Sequence, residues 1–493
     1  MLTLEFFIKA LSGQHLGSTT PISRVVIDSR QAGPDALFVA LPGEHADGHD
    51  YVADALARGA RAALVSRRPD LDTPVIYLAG MATIPLTVPR GPVLLHVEDT
   101  LTALQRTARA WFAQWSALPG RSAIGITGSV GKTTTKEALA ALLAERFTTL
   151  KSEASYNNEI GLPLTVFGLR GVHERAVLEM GFYVPGEIAL LCSIAPPRVG
   201  VVTMIAPVHL ERAGSMQAIV DGKAELVEAL PPDGVAVLNG DDPLVMSMAK
   251  RTRARVVTFG LKRRADLRAT EIVGLGLDGV RFRLHHTGES RVITLPLPGR
   301  HNVMTALAAA AVGFVEGLTW DEVVRGLEKP RPQIRLVPVE GPHGSTILDD
   351  TYNASPHSVI AALDLLHELP GRHIAVLGDM LELGSYEAEG HQRVGEHAAR
   401  TAEVLVTVGM RGRLIASAAR KAGLKDVTEC SGAEEAAAHV RTLLSPGDRV
   451  LVKGSRAVGM ERVVRLLLAD HQAADNNPLS GPTGSTPTPA PRG

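Results

Sequence analysis

In this chain an apolar segment runs into a glycine-rich turn and then into a helical stretch, an order of elements that few folds accommodate. It occupies residues 124–134, with the sequence IGITGSVGKTT. A strand, turn and helix in this order present backbone N–H groups at the helix start, where they bind phosphate. Lys132 is then placed to reach phosphate oxygens, and the Thr133 hydroxyl to hold Mg²⁺. The turn is shorter than the strict G-x-x-x-x-G-K-[ST] loop, since Ile126 replaces its first glycine. An ordinary turn at a helix start is the alternative.

The alternation of strand, turn and helix continues along most of the chain. It predicts an α/β protein with mainly parallel sheets and flanking helices. Because 493 residues exceed the size of one hydrophobic core, roughly three domains are expected. We place a small α/β domain at residues 1–115, a central phosphate-loop domain at 116–332 and a Rossmann-like domain at 333–470. Residues 471–493 are rich in Pro, Gly, Ser and Thr, which predicts a disordered tail.

Composition and charge limit the kinds of molecule that the chain is expected to bind. Lys plus Arg number 51 and Asp plus Glu 52, so no net field favours binding to nucleic acid or to an anionic membrane. No segment approaches the roughly 20 apolar residues that span a bilayer. Cys192 and Cys430 lack the spacing of a metal site and indicate no disulfide framework. A cytoplasmic monomer without membrane insertion or nucleic acid is therefore expected.

Three polar residues beyond the phosphate loop are candidates for a metal site. Glu179 ends an apolar strand, so its carboxylate emerges at the sheet edge where parallel sheets bind ligands, and His209 follows the next strand at that edge. Lys223 falls on the apolar stripe of a helix beginning near Ser215, which predicts a partly buried amine with a lowered pKa. Such a neutral amine can add CO₂ to form a carbamate that binds metal. The alternatives are an exposed glutamate, a hydrogen-bonded histidine and a lysine whose ammonium reaches solvent.

Three further clusters place polar side chains at strand ends or helix starts. They are PGRHN at residues 298–302, DDTYNASP at 349–356 and KGSR at 453–456. Ligands of α/β domains bind at such positions, so each cluster is a candidate binding loop. Turn formation and helix capping explain each cluster equally well when it is considered alone.

Taken together, these motifs resemble the Mur ligase family over almost the whole chain, to about residue 470. The most specific matches are YNNEIGLP at residues 156–163, DTYNA at 350–354 and GDMLELG at 378–384. Residues 28–30 and 47–49 are similar to the UDP-binding domain of that family. The Asp-Asn-Pro-Arg motif usual in the branch that adds diaminopimelate or lysine does not occur in the sequence, which favours the dipeptide-adding branch.

The resemblance implies an ATP-dependent amide ligase of peptidoglycan synthesis that works through an acyl-phosphate. Its partners would be a UDP-linked muramoyl tripeptide and D-alanyl-D-alanine, and its cofactors ATP and two Mg²⁺ ions. The implied ATP contacts are Gly128, Ser129, Gly131, Lys132, Thr133, Thr134, Asn302, Arg335 and Asp350. The implied metal ligands are Thr133, Glu179, His209 and Lys223, the last as a carbamylated lysine. The implied catalytic residues are Lys132, Lys223, His209 and Arg335, and the implied substrate-binding residues are Ser29, Arg30, Asn157 and Asn158.

The chain departs from the family pattern at several positions. The family usually has Asn where Met204 and Ser355 stand, an Asn-like residue at Val130 or Tyr183, and Phe near Ala213. Two alternative functions stay open at this point. One is a related ligase, either the enzyme that adds lysine or diaminopimelate or a folylpolyglutamate synthetase. The other is a phosphate-loop ATPase switch that ligates nothing.

Overall fold

The structure of the chain, a computed structural model, describes residues 1–475 except 16, 18, 44, 45, 79–90 and 331–334, with side chains described to residue 469. The chain forms two compact units. Unit 1 contains Met1–Val273, Val280–Pro296 and His301–Pro330. Unit 2 contains Gly274–Gly279, Leu297–Arg300 and the described residues after 334. The predicted domain boundary at residues 332 and 333 lies outside the described residues.

The N-terminal part of unit 1 is a small parallel sheet with helices. Its strands are β1 (Val25–Val26), β2 (Leu37–Val39), β3 (Ala62–Val65), β4 (Val75–Tyr77) and β5 (Val93–His96), and its helices are α1 (Leu4–Ser12), α2 (Val52–Ala57) and α3 (Thr100–Ser116). The strand order is β1-β2-β3-β5-β4. β2 and β3 are buried along their whole length, as their unbroken apolar runs predict.

Helix α3, which follows this small sheet, is hydrogen-bonded to the central part of unit 1. The indole of Trp111 donates a 3.1 Å hydrogen bond to the carbonyl of Leu169, and that of Trp115 donates a 2.9 Å bond to the carbonyl of His173. Buried indoles need such acceptors. The two parts of unit 1 therefore pack together although the sequence predicts a domain boundary at the end of α3, a boundary that stays a prediction.

The central part of unit 1 is a mainly parallel sheet covered by helices. Its strands are β6 (Ser122–Thr127), β7 (Thr149–Lys151), β8 (Arg175–Glu179), β9 (Val199–Val202), β10 (Val235–Asn239), β11 (Arg255–Gly260), β12 (Leu267–Gly274), β13 (Val280–His286) and β14 (Glu289–Leu295). Its helices are α4 (Lys132–Leu143), α5 (Gly161–Phe167), α6 (Glu187–Ile194), α7 (Leu210–Ala213), α8 (Met216–Glu228), α9 (Pro243–Ser247), α10 (Asn302–Val315) and α11 (Trp320–Glu328).

The order of the central strands positions the candidate site. Within the described residues it is β14-β13-β12-β11-β10-β9-β6-β8-β7. β6 lies between β8 and β9 and is parallel to both, with Ile126 opposite Glu179 and Thr127 opposite Val202. Since parallel strands end at the same edge, the segments that follow these three strands come together there.

The antiparallel pair β13 and β14 is a hairpin that the sequence pattern did not predict. Its turn uses Thr287 at φ 48° and Gly288 at φ 84°, the left-handed conformation that two-residue hairpin turns require. Thr is uncommon in that conformation, so the dipeptide is a weak turn signal in the sequence.

Unit 2 is built around a third sheet, with strands β15 (Val337–Glu340), β16 (Thr346–Asp350), β17 (His373–Gly378), β18 (Val404–Val408), β19 (Asp426–Cys430) and β20 (Arg449–Lys453). Its helices are α12 (Pro356–Glu368), α13 (Glu387–Thr401), α14 (Gly412–Lys421), α15 (Ala433–Leu443) and α16 (Glu461–Asp475). The order is β15-β16-β20-β17-β18-β19, with β15 antiparallel at the edge. Ile374 and Ala375 belong to different hydrophobic clusters, so both faces of the sheet are covered. The predicted α/β fold class is confirmed.

Short 3-10 helices occur at Ser29–Gln31, Gly48–Tyr51, Met248–Arg251, Gly276–Asp278, Pro342–Gly344, Gly384–Tyr386 and Arg456–Val458. Helix α16 continues past residue 470, where the sequence predicts a disordered tail, and residues 476–493 of that tail lie outside the described residues. Among the described helices, none combines the length and the apolar character that crossing a membrane requires.

Candidate active site

The glycine-rich turn joins β6, which ends at Thr127, to α4, which begins at Lys132. Gly128 adopts φ 143°, and a Cβ added there would lie 1.9 Å from Oγ1 of Thr203. Gly131 precedes α4 in the left-handed conformation, at φ 88°. Only glycine adopts such angles readily, so the course of the turn depends on these two residues. The N–H groups of the first turn of α4 have no acceptor within the helix, which suits them to phosphate.

The polar side chains of the turn have different surroundings. Ser129 is bound to the segment after β9, because its hydroxyl donates to the carbonyl of Ala206 at 2.9 Å and accepts from the N–H of the same residue at 2.9 Å. Lys132 Nζ donates to the carbonyl of Gly128 at 2.8 Å. Thr134 lies half-buried in the first turn of α4. The turn is thus attached to the segment after β9 through Ser129, and the Lys132 side chain bonds back to the start of the turn.

Glu179 lies beside the start of α4, buried at the end of β8. Its Oε1 accepts hydrogen bonds from the Thr133 hydroxyl at 3.2 Å and from Nδ2 of Asn157 at 2.9 Å. Its Oε2 is buried and has no hydrogen-bond partner among the residues that the structure describes. Lys136 Nζ lies 3.7 Å from this oxygen. The carboxylate is therefore hydrogen-bonded through Oε1, while Oε2 faces the ammonium of Lys136 and accepts no hydrogen bond from the described residues.

His209 follows β9, as the sequence predicts, and has a left-handed backbone at φ 55°. The imidazole meets the ring of Tyr183 edge to face, with 4.8 Å between centroids. The guanidinium of Arg212 lies 4.6 Å from the same tyrosine ring. Tyr183, one of the departures from the family pattern, is thus a direct neighbour of a predicted metal ligand.

Lys223 is fully buried on α8, which confirms that its place on the apolar stripe buries it. Burial lowers the pKa of Lys223 well below its usual 10.5, and the positive charge of Lys132 lowers it further, whereas Glu187 opposes the shift. The amine lies 4.7 Å from the centre of the Phe182 ring. These surroundings favour a neutral amine, the form that reacts with CO₂.

The donor atoms beside the phosphate loop fit a magnesium ion. Mg²⁺ prefers oxygen ligands and usually takes one or two carboxylates together with substrate phosphates and water. Thr133 and Glu179 offer a hydroxyl and a carboxylate within hydrogen-bond distance of each other, and one carboxylate oxygen is without a donor. Across the described ranges, no group of three or more His, Cys, Asp and Glu residues is arranged to hold a metal by itself. The arrangement suits a metal ion that takes its remaining ligands from the phosphates of a nucleotide and from water.

The four predicted substrate-binding residues occupy separate places. Asn157 contacts Glu179, so it belongs to the surroundings of the phosphate loop. Oδ1 of Asn158 accepts from the N–H of Gly161 at 2.8 Å, which is a contact at the start of α5. Ser29 is buried in the N-terminal part of unit 1, whereas Arg30 is exposed and pairs with Asp28 through a 2.7 Å contact.

Of the remaining predicted ATP contacts, Asn302 belongs to unit 1, and Arg335 and Asp350 belong to unit 2. Asn302 is the buried first residue of α10, and its Oδ1 accepts a 3.5 Å hydrogen bond from Thr305. In unit 2, the guanidinium of Arg335 stacks on the ring of Tyr352 at 3.8 Å.

Asp350 ends β16 and forms a buried ion pair. Its Oδ2 accepts a 2.6 Å hydrogen bond from Nζ of Lys453, at the end of β20. Oδ1 is buried without a hydrogen-bond partner in the described part of the chain. Burial lowers the pKa of Lys453, and the charge of Asp350 opposes this shift.

Two buried lysines lie at these sites: Lys136 was not considered from the sequence, and Lys453 was placed only within the candidate binding loop at residues 453–456. Lys136 and Lys453 are both almost free of solvent exposure. Lys136 comes one helical turn after Lys132, a spacing that places both on one side of α4. Lys453 ends a strand, as does Asp350. Helical spacing and strand position are the sequence features that could have indicated these two lysines. Neither feature predicts which carboxylate each lysine pairs with.

A phosphate loop at the edge of a parallel sheet, with a carboxylate beside the loop, defines a nucleotide-binding α/β protein. Three domain models match the chain: "Mur ligase family, catalytic domain" at residues 21–112, "Mur ligase middle domain" at 126–313 and "Mur ligase, glutamate ligase domain" at 334–456. The UDP-N-acetylmuramoyl-tripeptide--D-alanyl-D-alanine ligase of Synechocystis sp. is 38% identical over 465 residues, which are 94% of this chain and 95% of the relative.

Solved structures agree with these matches. MurF from Acinetobacter baumannii superposes with a TM-score of 0.82 and 30% identity, covering 95% of this chain and 99% of the other. MurF ligase from Thermotoga maritima in complex with ADP has a TM-score of 0.75 and 27% identity, covering 92% and 98%. The chain therefore belongs to the Mur ligase family and is an enzyme of that family, which confirms the resemblance predicted from its motifs.

Proposed function

We propose that this protein uses ATP to join D-alanyl-D-alanine to a UDP-N-acetylmuramoyl tripeptide, a step of peptidoglycan precursor synthesis. One observation carries the proposal. The chain is 38% identical, over 94% of its length, to a ligase whose name states that reaction. The phosphate loop at Gly128 and the adjacent Thr133 and Glu179 are the parts that an ATP-dependent ligase needs.

In this proposal the start of α4 binds the phosphates of ATP. The N–H groups of its first turn and the ammonium of Lys132 offset phosphate charge, and the side chains of Thr133 and Glu179 hold magnesium. Bound magnesium supplies additional positive charge at the transferring phosphoryl group. The remaining proposed ATP contacts are Gly131, Ser129, Thr134, Asn302, Arg335 and Asp350.

The proposed reaction has two steps and needs no nucleophilic side chain. First, the terminal carboxylate of the tripeptide attacks the γ-phosphorus of ATP, which forms an acyl-phosphate and releases ADP. Next, the amine of D-alanyl-D-alanine attacks the acyl carbon, loses a proton, and expels phosphate to leave the amide. The residues of the chain contribute by positioning the reactants and by offsetting charge.

Lys223 and His209 complete the proposed metal site. The buried amine of Lys223, with its lowered pKa, supports conversion to a carbamate: the neutral amine adds CO₂ and loses a proton, which leaves an anionic oxygen ligand. A second magnesium ion would then be held by His209 and the carbamate of Lys223. Ser29, Arg30, Asn157 and Asn158 are proposed to bind the UDP-linked precursor. A cytoplasmic location and a monomeric state remain predictions.

The test is the mass of the product formed from UDP-N-acetylmuramoyl tripeptide, D-alanyl-D-alanine and ATP. We expect the UDP-pentapeptide, with one ADP and one phosphate for each amide formed. Phosphate release should require both the precursor and the amine. Equal release without an amine would instead identify an ATPase switch. Coupling of single amino acids in place of the dipeptide would identify a related ligase.

A further inference from the structure

Lys136 is a buried lysine that the function proposed above does not use. Its side chain has 0% exposure, although a buried ammonium is costly unless it is paired. Nζ donates a 2.7 Å hydrogen bond to the carbonyl of Ala154. It also lies 3.4 Å from Oε1 of Glu137 and 3.7 Å from Oε2 of Glu179. The ammonium therefore lies between helix α4 and the carboxylate beside the phosphate loop.

The contacts of Glu179 divide its carboxylate into two unlike oxygens. Oε1 accepts from Thr133 and Asn157, whereas Oε2 faces Lys136 at a distance too long for a hydrogen bond. A charge at 3.7 Å still stabilises a carboxylate in a buried site. Lys136 thus offsets the charge of Oε2 without occupying the lone pairs that a metal ion needs.

Lys136 also holds the segment that carries Asn157. Ala154 has φ 42°, a left-handed conformation that costs energy for a residue with a Cβ. The hydrogen bond from Lys136 to the Ala154 carbonyl anchors this bend to α4. At the start of the segment, the Ser152 hydroxyl accepts a 3.1 Å bond from the N–H of Glu179. The lysine therefore acts on both the carboxylate and the segment that orients it.

We propose that Lys136 is a positioning residue for the metal site: it orients Glu179 and keeps Oε2 available to magnesium. The inference rests on the proposed role of Glu179 as a magnesium ligand. Groups that orient metal ligands typically change metal affinity by 10- to 100-fold when they are removed. Removal of Lys136 is thus expected to raise the magnesium concentration that nucleotide binding requires.

The experiment measures binding of a non-hydrolysable ATP analogue by calorimetry, first without metal and then across a titration of MgCl₂. Lys136→Met removes the charge and the donor. Lys151→Met is the matched control, since Lys151 is 45% exposed and pairs with the same Glu137. Glu179→Gln tests the metal site itself. Urea unfolding of each variant reports on folding, and Lys136→Gln, which keeps an N–H donor, takes the place of Lys136→Met if the latter does not fold.

For Lys136→Met we expect that the magnesium concentration giving half of the maximal gain in analogue affinity rises about tenfold or more. The affinity for the analogue without metal should change less than about twofold. Lys151→Met should match the wild type. An unchanged magnesium titration, or an equal loss of affinity with and without metal, would overturn the role of Lys136. Loss of the magnesium effect in Glu179→Gln supports the underlying site. If Glu179→Gln keeps the wild-type magnesium titration, the proposed metal assignment fails, and the inference about Lys136 fails with it.

Discussion

The hydroxyl of Thr133 donates a 3.2 Å hydrogen bond to Oε1 of Glu179, which joins the first turn of α4 to the end of β8. The phosphate loop and the carboxylate are therefore neighbours because β6 and β8 are adjacent and parallel. A metal ion bound by Glu179 would lie next to the phosphates held at the helix start.

Thr133→Val should weaken magnesium-dependent nucleotide binding, whereas Thr133→Ser should preserve it. Valine has a similar shape but lacks the hydroxyl that bonds Glu179 and is proposed to hold magnesium. We expect the magnesium concentration at half-maximal effect to rise about tenfold or more for valine, measured by calorimetry with a non-hydrolysable ATP analogue. Equal behaviour of the two variants would exclude a metal-binding role for the hydroxyl.

Lys132→Ala should abolish most of the ligation activity while leaving the fold intact. The lysine is half-buried, and its loss removes a positive charge that is proposed to act on the transferring phosphoryl group. We expect kcat to fall by about 10²-fold or more, as when a charge-stabilising donor is removed from other enzymes. Phosphate release with both substrates measures the rate. Lys250→Ala, at an exposed position, should retain wild-type turnover.

Gly128→Ala should damage the phosphate loop more than Gly131→Ala does. Both glycines have positive φ, but a Cβ at Gly128 would lie 1.9 Å from Oγ1 of Thr203, whereas nothing lies within 4 Å of one at Gly131. We expect a loss of about 1–3 kcal/mol in the free energy of unfolding for Gly128→Ala, and a smaller loss for Gly131→Ala. Urea unfolding measures both, and the reverse order would contradict the turn geometry.

Lys223→Met should reduce the pH dependence of stability. Burial lowers the pKa of Lys223 well below 10.5, so between the lowered pKa and 10.5 the unfolded chain binds a proton here that the folded protein does not. The free energy of unfolding should therefore rise with pH through that range.

Urea unfolding in CO₂-free buffer from about pH 7 to about pH 10 should show this rise in the wild type and a weaker rise in Lys223→Met. Lys421→Met, which removes an exposed lysine, is the control and should follow the wild type. The same slope in all three proteins would mean that Lys223 is charged in the folded state.

Lys453→Met should destabilise unit 2 by about 3–5 kcal/mol, because it leaves a buried carboxylate without its counter-charge. The side chains of Lys453 and Asp350 are only 2% and 7% exposed. The double variant Lys453→Met with Asp350→Asn removes both charges and should recover part of the loss. Thermal and urea unfolding of the three proteins test this, and a single variant as stable as the wild type would show that the pair contributes little.

Features that depend on neighbouring residues could be predicted from the sequence. The phosphate turn follows from Gly128 and Gly131 between an apolar strand and a helix, because only glycine adopts the required φ readily. The burial of Lys223 follows from its place on an apolar stripe with helical period. The alternation of strands and helices likewise indicates the α/β class, since it reflects local hydrophobic periodicity.

Local patterns in the sequence thus indicate the kinds of element, the glycine-rich turn and the family. Which side chains meet depends instead on the tertiary structure. Lys453 and Asp350 are 103 positions apart, and they pair because β20 lies beside β16. In the same way, β8 lies beside β6, which brings Glu179 to Thr133. Periodicity shows which face of an element is buried, but the order of strands in a sheet depends on long-range packing, which no local pattern encodes.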